Sequence, residues 1–164
     1  MIDEELRAAA RRALDAARRR GLKVAAAESC TGGLLAAALT EIPGSSDVFD
    51  RGFVTYSNAA KQAMLGVPAS VLETRGAVSK ETAEAMAAGA LERSGADLSA
   101  AITGVAGPGG GTAEKPLGLV HLAAGSRAGR LLHRERRYGD LGRAEIRRRS
   151  VLDAMAMLEE LASA

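Results

Sequence analysis

The sequence predicts an α/β protein, a three-layer α/β/α sandwich around a mixed, mostly parallel sheet, and three observations carry that reading. Short apolar runs alternate with segments of helical length through the first two thirds of the chain. Two strand-like runs then follow each other directly near the end. No repeat or linker interrupts the order, so residues 1–164 are expected to form one domain.

The elements follow in turn. Residues 3–20 read as a helix: Asp3 caps it, Glu4 and Glu5 occupy its first turn, Arg18 to Arg20 its last, and Gly21 stops it. That charge order suits the helix dipole. Leu6, Ala10, Ala13, Leu14 and Ala17 form its apolar stripe. Residues 22–27 are a strand-like run ending at Glu28-Ser29-Cys30-Thr31-Gly32-Gly33, and Leu34 to Leu39 restart at helical spacing. A strand, a glycine turn and a helix in that order place free N–H groups at a helix start. Ile42-Pro43-Gly44-Ser45-Ser46 breaks the chain, and Phe53-Val54-Thr55-Tyr56 favours a strand within 48–56. Ser57 caps a short helix over Asn58 to Leu65, and Ser79 caps a longer one over Lys80 to Arg93. Leu98 to Thr103 is a buried strand leading into Gly104-Val105-Ala106-Gly107-Pro108-Gly109-Gly110-Gly111. Residues 117–124 and 130–138 pair as antiparallel neighbours, and a helix over about 142–162 ends the chain.

Composition excludes several classes. With 22 Lys+Arg against 20 Asp+Glu the net charge is only +2, and two Phe, two Tyr and no Trp leave almost no stacking platforms, so a nucleic-acid partner is not expected. Four arginines near the start of the last helix (Arg143, Arg147, Arg148 and Arg149) read as a solvated or ion-paired set. A single cysteine, Cys30, excludes an internal disulfide, and two histidines, His121 and His133, cannot supply a three-histidine zinc site, so no metal or cofactor is expected. No run reaches the roughly 18 apolar residues of a membrane helix, and the N-terminus lacks a signal-peptide layout, so the expectation is a cytoplasmic protein with no membrane partner.

Two loops leave the ends of apolar strands with unusual polar and glycine content, 28–33 and 103–116. In open α/β sheets such loops gather around ligands. Neither carries the Gly-Lys-Ser/Thr ending of a nucleotide P-loop, and Ser29 does not sit in Gly-x-Ser-x-Gly. Only four lysines stand against eighteen arginines. Lys23 and Lys80 read as solvated charges, whereas Lys61 follows Thr55-Tyr56-Ser57-Asn58 at a strand end, from which it can serve a serine across the sheet. Cys30 is a rival nucleophile on chemistry alone.

Several ordered blocks resemble the C-terminal domain of the CinA (competence/damage-inducible protein A) family. They are Ala27-Glu28-Ser29-Cys30-Thr31-Gly32-Gly33, Pro43-Gly44-Ser45-Ser46, Tyr56-Ser57-Asn58-x-x-Lys61, Gly76-Ala77-Val78-Ser79, Thr103-Gly104-x-Ala106-Gly107-Pro108-x-Gly110-Gly111 and Glu114-Lys115-Pro116-x-Gly118. They run in order over about 24–150, closing with Gly139-Asp140 and Arg143-x-x-Ile146-Arg147. Here Leu141-Gly142 stand between Asp140 and Arg143, where the family pattern has arginine directly after Gly-Asp.

The resemblance implies a hydrolase acting on a linear carboxamide C–N bond: a metal-free nicotinamide-nucleotide amidohydrolase converting nicotinamide mononucleotide to nicotinate mononucleotide and ammonia. It implies Ser29 as nucleophile and Lys61 as base, with Tyr56 relaying or orienting the proton and Thr103 and Arg143 in the site. Thr31, Gly32, Gly104, Gly107 and Gly110 are the expected further contacts to a small-molecule nucleotide, through N–H groups for an oxyanion and a phosphate. It also implies a homodimer. The alternative, from another class, is a nucleotide-binding regulatory module without catalysis. The chemistry sets one condition. A lysine of pKa ~10.4 is neutral in roughly one molecule in 2,500 at pH 7, a deficit of about 4.6 kcal/mol. Lys61 must therefore be desolvated or placed beside another cation to act as a base.

Overall fold

The structure is a computed structural model and describes residues 1–164. Its elements run in the order α1 (Glu4–Arg19), β1 (Val24–Glu28), α2 (Leu34–Thr40), a 3-10 turn (Ser45–Asp47), β2 (Phe49–Val54), α3 (Asn58–Leu65), α4 (Ala69–Arg75), α5 (Lys80–Glu92), β3 (Leu98–Gly104), β4 (Leu119–Ser126), β5 (Leu131–Arg137) and α6 (Arg143–Ser163). The expected caps are in place: the side chains of Asp3, Ser57 and Ser79 accept N–H bonds at the starts of α1, α3 and α5. Helix α4 has no counterpart in the sequence reading. It is seven residues long, begins at Pro68 without a side-chain cap, and buries only Leu72, so it offers no periodicity to detect.

The five strands form one sheet in the order β2-β1-β3-β4-β5. β1 pairs in parallel with β2 and β3, whereas β3–β4 and β4–β5 are antiparallel. The sheet is thus evenly mixed rather than mostly parallel. The physical reason lies between β3 and β4: residues 105–118 contain no crossover helix, so the chain turns back on itself.

Strand alternation divides the core. Ala26, Ala100, Ile102, Val120 and Leu122 pack with α1, α2 and α6, while Ala25, Ala27, Ala101 and Ala123 pack with the residues of α3, α4 and α5. Helices therefore flank the sheet on both faces. β1 is a run of small residues, and this lets helices approach it closely from either side. Gly89 in α5 serves the same end. A Cβ there would lie 2.0 Å from the Leu65 carbonyl oxygen, so only glycine admits α3 at this separation.

In the parallel register Glu28 stands beside both Val54 and Ile102. The carboxyl ends of β1, β2 and β3 are therefore level, and their three loops open at one edge of the sheet. No helix is long and apolar enough to cross a membrane.

Candidate active site

Ser29 is the first residue beyond β1. Its N–H donates to the Ile102 carbonyl at 2.9 Å, which extends the sheet ladder by one residue and fixes where the side chain emerges. Lys61 comes from α3. It lies one turn beyond the Ser57 cap and shares the buried side of that short helix with Leu65. The packing of α3 on α5 drives it inward until only 1% of its surface is exposed. Lys61 Nζ then lies 3.0 Å from Ser29 Oγ and 2.9 Å from the Thr55 carbonyl oxygen. No carboxylate pairs with it. Burial pulls its pKa below the ordinary lysine value, outweighing an opposing influence from Cys30. A neutral Lys61 can donate one N–H to Thr55 and turn its lone pair toward the Ser29 hydroxyl.

The dyad opens into a cavity of about 330 Å³. Gly104, Gly107, Gly110, Thr103, Tyr56 and Arg143 all line it. Arg143 sits on the first turn of α6, and the two extra residues before it do not remove it from the site. Its guanidinium donates to the Gly107 carbonyl at 2.8 Å and to the Tyr56 hydroxyl at 2.9 Å. It thereby joins the glycine loop after β3 to the segment after β2. Tyr56 is 62% exposed at the rim and bonds neither Ser29 nor Lys61, so it does not stand between those two. Thr103 bonds neither dyad member. Its buried hydroxyl donates to the Ala77 carbonyl at 2.7 Å and ties down the Gly76–Ser79 turn, whose Ala77 and Val78 form an apolar wall.

Thr31 and Gly32 are not brought to the cavity wall. Thr31 is buried, its hydroxyl has no partner, and its carbonyl accepts from Arg147 at 2.7 Å. The Gly32 N–H is committed to the Ser29 carbonyl at 3.0 Å. The N–H groups of Cys30 and Thr31 carry no bond to another residue. In the second loop the N–H groups of Ala106, Gly107, Gly109 and Gly110 are likewise uncommitted. Cys30 lines the cavity, but burial pushes its thiol up to about 11, which keeps it protonated and a poor nucleophile near neutral pH. His121 and His133 lie apart from the dyad, stacked on each other with Nδ1 and Nε2 3.0 Å apart. Among the late arginines, Arg148 pairs with Asp3, Glu5 and Glu145, and Arg149 with Glu145.

Sequence reasoning missed Asn58, Ala77 and Val78 as lining residues. The Gly76-Ala77-Val78-Ser79 block, one of those that carry the family resemblance, was a signal for two of them. Glu28 and Arg147 also stand inside such blocks, but no role at the site was expected of either.

The profile of the CinA C-terminal domain family matches residues 6–162. The chain belongs to that family. Its fold is similar to that of the competence/damage-inducible protein CihA from Agrobacterium tumefaciens, with 57% identity, 98% of each chain covered and a TM-score of 0.96. A CinA superfamily protein from Klebsiella pneumoniae is 36% identical with a TM-score of 0.91, covering 96% of this chain and 98% of that one. Among curated relatives, a CinA-like protein of Parasynechococcus marenigrum is 52% identical over 141 residues, 85% of this chain and 33% of that protein. A CinA-like protein of Akkermansia muciniphila is 60% identical over 108 residues, 66% of this chain and 26% of its own length. The chain thus spans about a quarter to a third of the curated relatives it matches.

Proposed function

We propose that this CinA C-terminal domain protein is a nicotinamide-nucleotide amidohydrolase that hydrolyses the carboxamide of nicotinamide mononucleotide to nicotinate mononucleotide and ammonia. The observation that carries the reading is Lys61 Nζ at 3.0 Å from Ser29 Oγ, in a lysine 1% exposed and without a counter-ion. A module that only bound nucleotides would have no use for a desolvated amine held against a hydroxyl, since burying it unpaired costs stability.

The steps follow from that contact. Neutral Lys61 takes the Ser29 proton as Oγ attacks the carboxamide carbon. The N–H of Cys30, a residue that lines the cavity, is uncommitted and next to the nucleophile, and it is the donor of this turn available to the oxyanion. The Lys61 ammonium returns its proton to the departing nitrogen, ammonia leaves, and an acyl ester remains on Ser29. Water, deprotonated by the regenerated amine, then releases the acid. Tyr56, Ala77 and Val78 offer the pyridine ring a partly apolar wall. The free N–H groups of the 106–110 stretch, with Arg143, suit a phosphate.

The test is ammonia release from nicotinamide mononucleotide, followed against Ser29→Ala. Release by the wild type and none by the variant is expected. Equal background from both would overturn the assignment. Calorimetric binding of the mononucleotide without turnover would favour the non-catalytic module.

A further inference from the structure

We infer that Glu28 is a positioning residue for the nucleophile, acting through the backbone of the turn that carries Ser29. The inference rests on Ser29 being the nucleophile and adds a role that the dyad itself does not contain.

The geometry is unusual for a carboxylate. Glu28 is the last residue of β1, is fully buried, and has no lysine, arginine or histidine partner. Its partners are three backbone N–H groups at the start of α2: Gly33 and Leu35 donate to Oε2 at 3.2 and 3.0 Å, and Ala36 donates to Oε1 at 2.9 Å. Helix α2 starts at Gly33, which has a φ of 100° and no side chain with which to cap. The residue before the nucleophile therefore caps the helix after it, and the chain between, Ser29 to Gly32, is closed into a short ring. Arg147 holds the same turn from α6 through the Thr31 carbonyl.

The consequence for the site lies in the allocation of donors. Glu28 absorbs the N–H groups that a bare helix start would otherwise present, and the Ser29 carbonyl absorbs that of Gly32. What is left free in this turn is the pair at Cys30 and Thr31. A carboxylate is the group suited to this place because it is acceptor-only, with lone pairs for all three donors. An amide of the same shape must turn its NH2 toward at least one of them. The cavity beside Ser29 is thus held to a fixed shape by a residue that does not line it. Small displacements matter here, since a shift of about 1 Å at a reacting group can cost on the order of 100-fold in rate.

The experiment uses the full chain and reads Ser29 in two independent ways. One is turnover of nicotinamide mononucleotide. The other is the second-order rate at which a fluorophosphonate ester labels Ser29, located by peptide mass. Glu28→Gln is expected to lower kcat and the labelling rate together by about 10- to 100-fold, with KM changed less than threefold. The acid limb of the pH profile should stay in place, because the surroundings of Lys61 are unaltered. A core variant matched for loss of Tm, Leu158→Ala in α6, should leave both rates within twofold. Where Glu28→Gln does not accumulate as folded protein, Glu28→Asp carries the test: it keeps the charge but shortens the reach, and it should show the same paired loss in smaller degree. Wild-type rates in the Glu28 variants, a loss confined to KM, or an equal loss in the matched core variant would overturn the inference. A wild type that labels at Ser29 but releases no ammonia would remove the proposed substrate and leave Glu28 to be judged by labelling. Absence of both from the wild type would remove the nucleophile, and Glu28 with it.

Discussion

The turn after β1 and the loop after β3 leave neighbouring strands at the same sheet edge, yet their hydrogen bonding is opposite in kind. In the first, all donors but those of Cys30 and Thr31 are spent inside the protein: Ser29 on Ile102, Gly32 on Ser29, Leu34 on Thr31, and Gly33, Leu35 and Ala36 on Glu28. In the second, Val105 and Thr112 are tied at the two ends, while the donors of Ala106, Gly107, Gly109 and Gly110 between them stay open. The difference matches two tasks. A nucleophile must be held in one place before substrate arrives, whereas a cradle for an anion must keep its donors for the ligand. If the proposed function holds, the first loop reacts and the second binds, so variants in each should separate kcat from KM.

The largest effect is expected at the dyad. Lys61→Met keeps the volume and the apolar stem but removes the base, and should lower kcat by at least about 1,000-fold, measured by ammonia release. The same variant tests the charge state. Since burial lowers the Lys61 pKa, the unfolded chain binds a proton that the folded chain does not, between that lowered value and the ordinary one. Stability should therefore rise with pH across that window, and lose this slope in Lys61→Met, read from chemical denaturation at several pH values. In the wild type, kcat/KM should fall as the pH drops through the lowered pKa, because protonated Lys61 cannot accept from Ser29. An acid limb at the ordinary lysine value, near 10.4, would mean that the buried amine is charged and not poised.

The sequence carried the elements and the two loops because both leave local signals: caps at Asp3, Ser57 and Ser79, apolar spacing in α1 and α6, and glycine clusters after strands. It also carried the departure at Leu141-Gly142, which α6 absorbs by starting at Arg143. Burial of Lys61 was not legible. A lysine on a short helix reads as solvated until the approach of α3 to α5 through Gly89 is known, and that is a property of two distant segments. The same holds for Glu28. Nothing in Ala-Ala-Glu-Ser states that the carboxyl group folds back onto α2 rather than reaching the cavity. Tyr56 and Thr103 entered by resemblance, and only the coordinates separate them: one at the rim under Arg143, the other locking a turn.

A smaller effect is expected in the binding loop. Arg143→Lys keeps a charge but loses the fork that spans Gly107 and Tyr56, and should raise KM for the mononucleotide about 10-fold while kcat changes less. Gly107→Ala tests the loop backbone itself. Its φ of 79° disfavours any side chain, and the new Cβ would meet Leu117 Cδ1 at 2.2 Å. The leucine end can rotate away, so the lasting cost is the backbone strain, about 1–2 kcal/mol, visible as a lower Tm together with a higher KM. A fall in kcat alone, in either variant, would contradict the division of labour between the two loops.

The smallest effect is expected at Cys30, which stands in the reactive turn and lines the cavity. Burial works against ionisation of its thiol. A thiol pushed up to about 11 holds almost no thiolate at neutral pH, whereas the backbone N–H of the same residue is uncommitted. Cys30→Ala retains that N–H and should keep kcat within about threefold, with a modest loss of Tm from the small void. Iodoacetamide should label the wild-type cysteine far more slowly than an exposed thiol. Loss of turnover in Cys30→Ala comparable with that of Ser29→Ala would transfer the nucleophile to sulfur, and Lys61 would then be serving the neighbouring residue.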